Sequence, residues 1–542
     1  MRQVWRIVSD LLGVDRSFFW LAIIYSMAIS LLAIGLPVSV QMLIDTVANT
    51  SLRTPLVTLS VILFLLLLTS AILTGFRTHL MEIFGRRFFA RFSKEMGLRA
   101  VYADPVHFAR VDRGGLYNRF FDIMTVQRNI PDLLIGGFSL FFQTVIGFVV
   151  VSLYHPVLLF FNLVILGLIA LIWIIWAPGA VRTALIESER KYESARWLEH
   201  VAHEAEAFSA EPAATRAFNV IEAHTDRWID ANKRHFRRTF AQSMALILLA
   251  AVASAVLLGI GGWLVIRGQL TLGQLVAAEL IMSGVFAGLA QAGYYLISFY
   301  LLCAASEELS RITALPVKKL HATRRGLSGP PHLVLRNARL GKFCFDLTIP
   351  PGAMYLVHAQ DRHVSRAFVR LARAVLPAEH GTVRFGEVDV NDLDPFWLKS
   401  RILLLDSRPF LHGRLRDLFA QAADNADLAR VQDVLDSLSL DLGIASLDQD
   451  LSEIGWDMTT EEKLRLSLAA ALLSDAPVLI LSEIYDAVPV DILCQALAKW
   501  CQEPGRTCLY LTHRRAMSCF SHSLKLAADT QRLEPLQLEA AQ

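Results

Sequence analysis

The sequence predicts an α-helical six-span transmembrane domain joined to an α/β domain, and three observations predict it. Apolar residues make up 54% of the 542-residue chain, mean hydropathy is +0.44, and the apolar runs crowd into the first 305 residues. Lysine and arginine are divided unevenly between the connections of those runs. From residue 332 onward, short β-like runs alternate with helical stretches, which is the pattern of a sheet flanked by helices.

A helix needs about 20 mostly apolar residues to cross about 30 Å of hydrocarbon. Six segments qualify, at about 19–43, 56–76, 133–153, 157–177, 244–266 and 275–303. The connections on one side are short: Asp45 to Pro55, Tyr154 to Pro156, and Arg267 to Gln274. Those on the other side, 77–132 and 178–243, are long and carry Arg77, Arg86, Arg87, Arg91, Lys94, Arg99, Arg182, Arg190, Lys191, Lys233, Arg234, Arg237 and Arg238. The short loops hold only Arg53 and Arg267, so the long loops and both termini are expected on the cytoplasmic side. The first apolar run begins near Phe18 and continues past Pro37, too long for a signal-peptide core, and no cleavable signal is expected.

The long loops read as helical rather than disordered. Phe84, Phe88, Phe92 and Met96 recur at helical spacing, as do Trp197, Val201, Ala205 and Phe208. At 1.5 Å per residue each loop could descend about 35–40 Å and return as a helical hairpin that meets the following domain. Polar residues within the spans are Gln41, Gln143, Glu279 and Gln291. The glutamines are expected to bond between helices. An intramembrane acid invites a functional reading, but Glu279 lies only a turn or two inside the outer face, where water reaches it.

A net charge of +2 gives no reason to expect a nucleic-acid partner. The six cysteines (Cys303, Cys344, Cys494, Cys501, Cys508, Cys519) form no C-x-x-C pair, no metal-ligating set is expected, and the pattern fits reduced cytosolic thiols. The domain boundaries expected are 1–320 for the membrane domain, 321–330 for a linker ending in the SGPP of Ser328 to Pro331, 331–530 for the α/β domain, and 531–542 for a tail.

Within the α/β region, Ile349 to Gly352 (IPPG) precedes a strand. Gly381-Thr382-Val383, Asp394-Pro395, a strand at Arg401–Leu405 and Pro409-Phe410-Leu411 follow. Next come a helix over Glu462–Leu473, a strand from Pro477 to Leu481 with Ser482-Glu483, and Leu511-Thr512-His513-Arg514. In this order they resemble the ATPase domain of ABC transporters. Independently, Gly262 to Val276 resembles the hairpin joining the last two spans of exporter-type ABC membrane domains. The chain thus resembles an exporter-type ABC half-transporter over nearly its whole length. The resemblance implies a multi-pass protein of a bacterial inner membrane, embedded in the lipid bilayer, working as a homodimer or as a heterodimer with another ABC half-transporter. A periplasmic adaptor is a further partner it suggests.

It also implies ATP and Mg²⁺, and here the residues depart from the family. A phosphate-binding loop G-x-x-x-x-G-K-[ST] uses glycines so that backbone N–H groups close on phosphate, with a lysine on the outer phosphates and a hydroxyl on Mg²⁺. The matching window is His358-Ala359-Gln360-Asp361-Arg362-His363-Val364-Ser365: both glycines are absent, Val364 replaces the lysine, and only Ser365 matches. Arg362, His363 and Ser365 remain as candidates for holding an anion, against the plainer reading of a capped helix start. The family's glutamine after the next strand is Asp406. Its LSGGQ signature is Met458-Thr459-Thr460-Glu461-Glu462, where Thr459 keeps a hydroxyl, and its metal-binding aspartate is Ser482. Glu483 and His513 survive where the family has its water-activating glutamate and switch histidine. They stand either as general base and γ-phosphate sensor or as polar strand-end residues held by neighbours.

The expectation is therefore a subunit of an ABC-type exporter whose own nucleotide-binding domain is inactive, a pseudo-ATPase. ATP and Mg²⁺ are cofactors only if the degenerate site still binds them. The alternative is a non-transporting membrane scaffold or regulator on the same fold, and an enzyme using a remodelled ATP site ranks third.

Overall fold

The computed structural model describes residues 13, 16–50, 53–102, 118–317, 330–406, 414–422, 428–440, 448, 450 and 458–536. Two compact units divide at Lys318/Lys319. Most of the linker, Pro409 to Leu411 and the end of the tail lie outside the described residues.

The first unit is helical. Its elements are α1 (Arg16–Ala33), α2 (Gly35–Thr50), α3 (Arg53–Tyr102), α4 (Asp122–Asp132), α5 (Phe138–Ser152), α6 (Pro156–His203), α7 (Glu211–Ile266) and α8 (Leu272–Thr313). Helix α4 runs through a π-helical turn at Leu133–Gly137 into α5, and α1 and α2 together make one span. Among the described residues, six helical segments are long and apolar enough to cross a membrane. Helix α6, with 48 residues, and α7, with 56, far exceed the roughly 20 that a bilayer needs. The predicted loops are thus direct continuations of the spans. Local signals explain where two of these helices start. His155 caps α6 through Nδ1, with Pro156 in the first turn, and Thr271 and Gln274 form a reciprocal capping box on α8.

The stripe of Phe84, Phe88, Phe92 and Met96 is buried against Ile123, Val126 and Ile130 of α4 and Leu309 and Ile312 of α8. The second stripe is not one helix. Helix α6 stops at His203 and a 3₁₀ turn covers Ala205–Phe208, yet Trp197 and Phe208 still meet edge to face across the turn. Gln41 was expected to bond between helices; it accepts instead from the hydroxyl of Tyr154, in the turn between α5 and α6, at 2.8 Å. Glu279 is half-buried, and among the described residues its Oε2 has no partner. Arg77, counted above as a loop cation, is instead 5% exposed inside the bundle, donating to Ser26 Oγ at 3.0 Å and Ser139 Oγ at 2.6 Å.

Where α3, α4, α6 and α8 run beyond the apolar windows, charges are buried together. Arg119, on the 3₁₀ turn before α4, pairs with Glu308 of α8, their side chains 8% and 2% exposed. Arg311 approaches Glu308 at 3.6 Å. Next to them Asp122 accepts from Tyr192 Oη at 2.5 Å and Lys191 Nζ at 3.2 Å, both on α6.

The second unit is α/β. A four-stranded antiparallel sheet has the order β2 (Phe343–Ile349), β1 (Leu333–Leu340), β4 (His380–Phe385), β5 (Val388–Asp389). A six-stranded sheet has the order β10 (Gln531–Pro535), β9 (His522–Leu526), β3 (Met354–Ala359), β8 (Thr507–Leu511), β7 (Val478–Leu481), β6 (Ile402–Leu405), parallel from β9 to β6. Helices α9 (Arg362–Ala372), α10 (Pro395–Arg401), α11 (Leu415–Ala422), α12 (Leu428–Ser437), α13 (Thr460–Leu473) and α14 (Val490–Trp500) accompany them. All four residues of β7 are buried, as a central parallel strand requires. The segment expected to be a tail from 531 pairs as edge strand β10.

Two glycines named in the motif order have backbone reasons to be glycine. Gly352 turns from β2 to β3 at φ +85°. Gly381 sits at φ +80°, where a Cβ would strike the Asn337 carbonyl oxygen. One cysteine expectation is corrected: Cys494 of α14 and Cys519 form a disulfide, their Cα atoms 5.5 Å apart. The remaining thiols are free, and burial pushes Cys501 up to about 12 and raises Cys508 as well.

Candidate functional site

The turn from β3 into α9 is closed by its own side chain. Asp361 has extended backbone angles, and its Oδ1 accepts from the backbone N–H of His363 at 2.7 Å and Val364 at 2.8 Å. An aspartate at this position satisfies donors that a helix start leaves open, and those are the donors a phosphate would take. The same bonds, that of Val364 first, hold the Asp361 carboxyl below the usual carboxylate range. Val364, at the position of the family's lysine, is fully buried in the apolar cluster with Phe368 and Leu511. Ser365 turns its hydroxyl back to the Arg362 carbonyl at 3.1 Å.

Three candidate residues come together although they are far apart in sequence. Glu483, in the 3₁₀ turn Glu483–Ala487 after β7, accepts Arg362 Nε on Oε1 at 2.5 Å and meets His513 Nε2 with Oε2 at 2.9 Å. Arg362 and His513 are 72% and 80% exposed and Glu483 30%, so the cluster lies at the surface. Ser482, before it, has a buried Oγ without a partner among the described residues.

Sequence reasoning missed the residue that holds this region. Asp486 Oδ1 accepts from the Tyr510 and Thr512 hydroxyls, each at 2.5 Å, and Oδ2 accepts from the His513 backbone N–H at 3.4 Å. Arg514 Nη2 donates to the carbonyls of Asp486 at 2.5 Å and Val488 at 3.0 Å. His358 adds a contact to the Arg514 carbonyl at 2.8 Å. An acid three residues after Glu483, facing a strand that ends Tyr510-Leu511-Thr512, was the available signal.

Thr459 joins none of these contacts. It caps α13: its Oγ1 accepts from the Glu462 N–H at 3.2 Å, while Glu462 Oε2 accepts from the Thr459 N–H at 2.7 Å. That N–H bond lowers the Glu462 carboxyl below its ordinary value. Glu461 pairs with Arg465 one turn on at 3.0 Å. Among the described residues, no group of three or more His, Cys, Asp and Glu is placed to hold a metal ion.

Comparison with known proteins matches residues 19–199 to the ABC transporter transmembrane region. A solved bacterial Atm1-family ABC exporter with ATP bound superposes with a TM-score of 0.79, at 14% identity, over 96% of this chain and 95% of that one. The chain has the fold of an exporter-type ABC half-transporter. Its relatives include the multidrug resistance-like ATP-binding protein MdlA of Escherichia coli, 24% identical over 49% of this chain and 48% of that one. The mitochondrial potassium channel ATP-binding subunit of Xenopus tropicalis is 28% identical over 34% of this chain and 27% of its own. An ATP-dependent lipid A-core flippase of Burkholderia orbicola is 26% identical over 31% and 29%. The chain therefore spans about half or less of the length of these curated relatives.

Proposed function

We propose that the chain is a subunit of an ABC-type membrane exporter whose own nucleotide-binding domain does not hydrolyse ATP. The observation that carries this reading is Glu483: its two oxygens are taken by Arg362 and the His513 ring, so the carboxylate that would activate water is engaged by side chains of its own chain. The surroundings of the nucleotide position agree. ATP with Mg²⁺ does not fit the residues present, because Asp361 sets a negative charge in the anion nest, Val364 is core and Ser482 offers no carboxylate to the metal. The capped start of α13 likewise has Glu461 and Glu462 where a γ-phosphate would approach.

In this reading the subunit works in a lipid bilayer as one half of a dimer, with itself or with another ABC half-transporter, in a bacterial inner membrane. Both termini lie on the cytoplasmic side, where the long helical extensions and most Lys and Arg residues stand. A second reading, a non-transporting scaffold, gains support from the loss of both the phosphate loop and the signature. Even with an intact partner, neither composite site would be complete.

The test is binding of a fluorescent ATP analogue with Mg²⁺ to the purified full-length protein, and ATPase activity alone and with any co-purifying partner. No binding alone, with activity only alongside a partner, is the expected result for a silent subunit. Saturable micromolar binding by the chain alone, lost in Ser365→Ala or Arg362→Gln, would sink it. Silence in both settings would put the scaffold ahead.

A further inference from the structure

Beside the closed phosphate loop lies a cleft of about 360 Å³ between the outer face of α9 and the turn from β1 to β2. One wall carries basic side chains: His363, Arg366 and Arg370 recur at helical spacing along α9. Among the described residues, the side chains of Arg366 and Arg370 make no ion pair or hydrogen bond. Leu340, Phe343 and Leu376 give the other wall an apolar surface, and Glu379 is the one acid lining the cleft. Lys342, on the turn, lies near enough to the α9 start for its charge to act on Asp361.

We propose that this cleft binds a small phosphomonoester: a phosphate held between Arg366 and Arg370, with a flat or apolar body against Leu340, Phe343 and Leu376. Two guanidinium groups one turn apart, both free of carboxylates, suit a dianion that accepts several N–H donors at once. The volume lies at the small end of ligand pockets, and the apolar wall gives the body of the molecule a place that inorganic phosphate alone does not use. A triphosphate is disfavoured. His363 lines the cleft while its backbone N–H is held by Asp361, so a phosphate chain extended along α9 meets that carboxylate. The cleft is separate from the Arg362–Glu483–His513 cluster, and the proposal does not rest on the silent-subunit reading.

Isothermal titration of the full-length protein with phenyl phosphate, adenosine monophosphate, inorganic phosphate and ATP tests it. At least one monoester should bind saturably and at least about tenfold more tightly than inorganic phosphate, and Arg366→Gln with Arg370→Gln should weaken it by about tenfold or more. Arg362→Gln should leave monoester binding unchanged. Binding of both monoesters supports a general phosphomonoester site, and binding of adenosine monophosphate alone assigns the source to nucleotides. The proposal is overturned if neither monoester binds, if inorganic phosphate binds as well, or if the double variant binds normally with an unchanged melting temperature. Arg370→Glu, an exposed charge reversal, provides a second variant should the double one melt early. ATP hydrolysis belongs to the previous test, so monoester binding without ATPase activity leaves both readings standing, and ATPase activity without monoester binding overturns both separately.

Discussion

Two ionic clusters in this molecule use similar side chains in opposite surroundings. In the helical unit, Arg119 and Glu308 pair with almost no exposure, beside Asp122, Tyr192 and Lys191. In the α/β unit, Arg362, Glu483 and His513 make equally direct contacts at the surface. Desolvation decides what each is worth. An exposed pair exchanges water for a partner at little net gain, whereas a buried pair loses much water and leaves a large penalty when only one member is removed. The first cluster is therefore a brace that ties α8 to the start of α4 and to α6. The second joins surface side chains without being needed to hold the fold.

The sharpest way to break this comparison is Glu308→Ala, which takes the carboxylate away from the buried Arg119 guanidinium. It should destabilise the helical unit by about 3–5 kcal/mol, read as loss of thermal or denaturant resistance of the full-length protein in detergent. Replacing both, Arg119→Met with Glu308→Leu, should recover most of that loss, since a buried pair exchanged for apolar side chains of similar volume is often neutral. A double variant as unstable as the single one would show that the pair acts through something other than its mutual charge.

A covalent tie should come next in size. Cys519 follows the His513 segment and Cys494 lies on α14, so the disulfide closes a loop with a sequence separation of 25. Cys494→Ser, or reduction, should cost about 3 kcal/mol by the usual dependence on loop length. Thiol alkylation before and after reduction checks whether the pair forms in the membrane-embedded protein. Against this, Arg362→Gln should change stability by less than about 1 kcal/mol, because Arg362 is mostly exposed and Asp486 and Arg514 hold the region without it. A loss as large as that of the disulfide would make the exposed cluster structural.

How much of this was legible in the sequence depended on distance along the chain. The Phe84 to Met96 stripe and the strands at 344–349 and 477–481 announce themselves because periodicity is local. Asp361 was readable as an N-cap for the same reason. That Val364 is core, and not merely a missing lysine, required the strands packed over α9. Strands β9 and β10 were missed because their segment mixes charge and hydrophobicity without clean alternation; β9 is set by pairing with β3, and β10 by pairing with β9. Arg119 and Glu308 are 189 residues apart with no motif to link them, whereas Glu483 and His513, 30 apart, were linked only through the resemblance. The disulfide was hidden for a similar reason. Cysteine spacing says nothing about which Cα atoms approach to 5.5 Å, and the reduced state expected was an inference about compartment.

The smallest effect concerns the caps, where charge lies at the surface but is well bonded. Asp361 and Glu462 both titrate below their ordinary values because backbone N–H groups bond to the carboxylates. A folded-state value below the unfolded one contributes stability that is complete above about pH 4 and is lost as pH falls through the folded value. Asn is as good an N-cap as Asp, so Asp361→Asn keeps the acceptor for the Val364 and His363 N–H groups while removing the charge. The variant should melt slightly below the wild type at neutral pH, where the carboxylate favours the positive end of α9. Below about pH 4 the two melting curves should converge, because the wild type loses its charge and the variant has none to lose. Glu462→Gln should behave in the same way at α13. Parallel curves across the acid range would mean that the Asp361 charge is not engaged by the helix. That would remove the main physical reason for regarding the anion nest as filled from within.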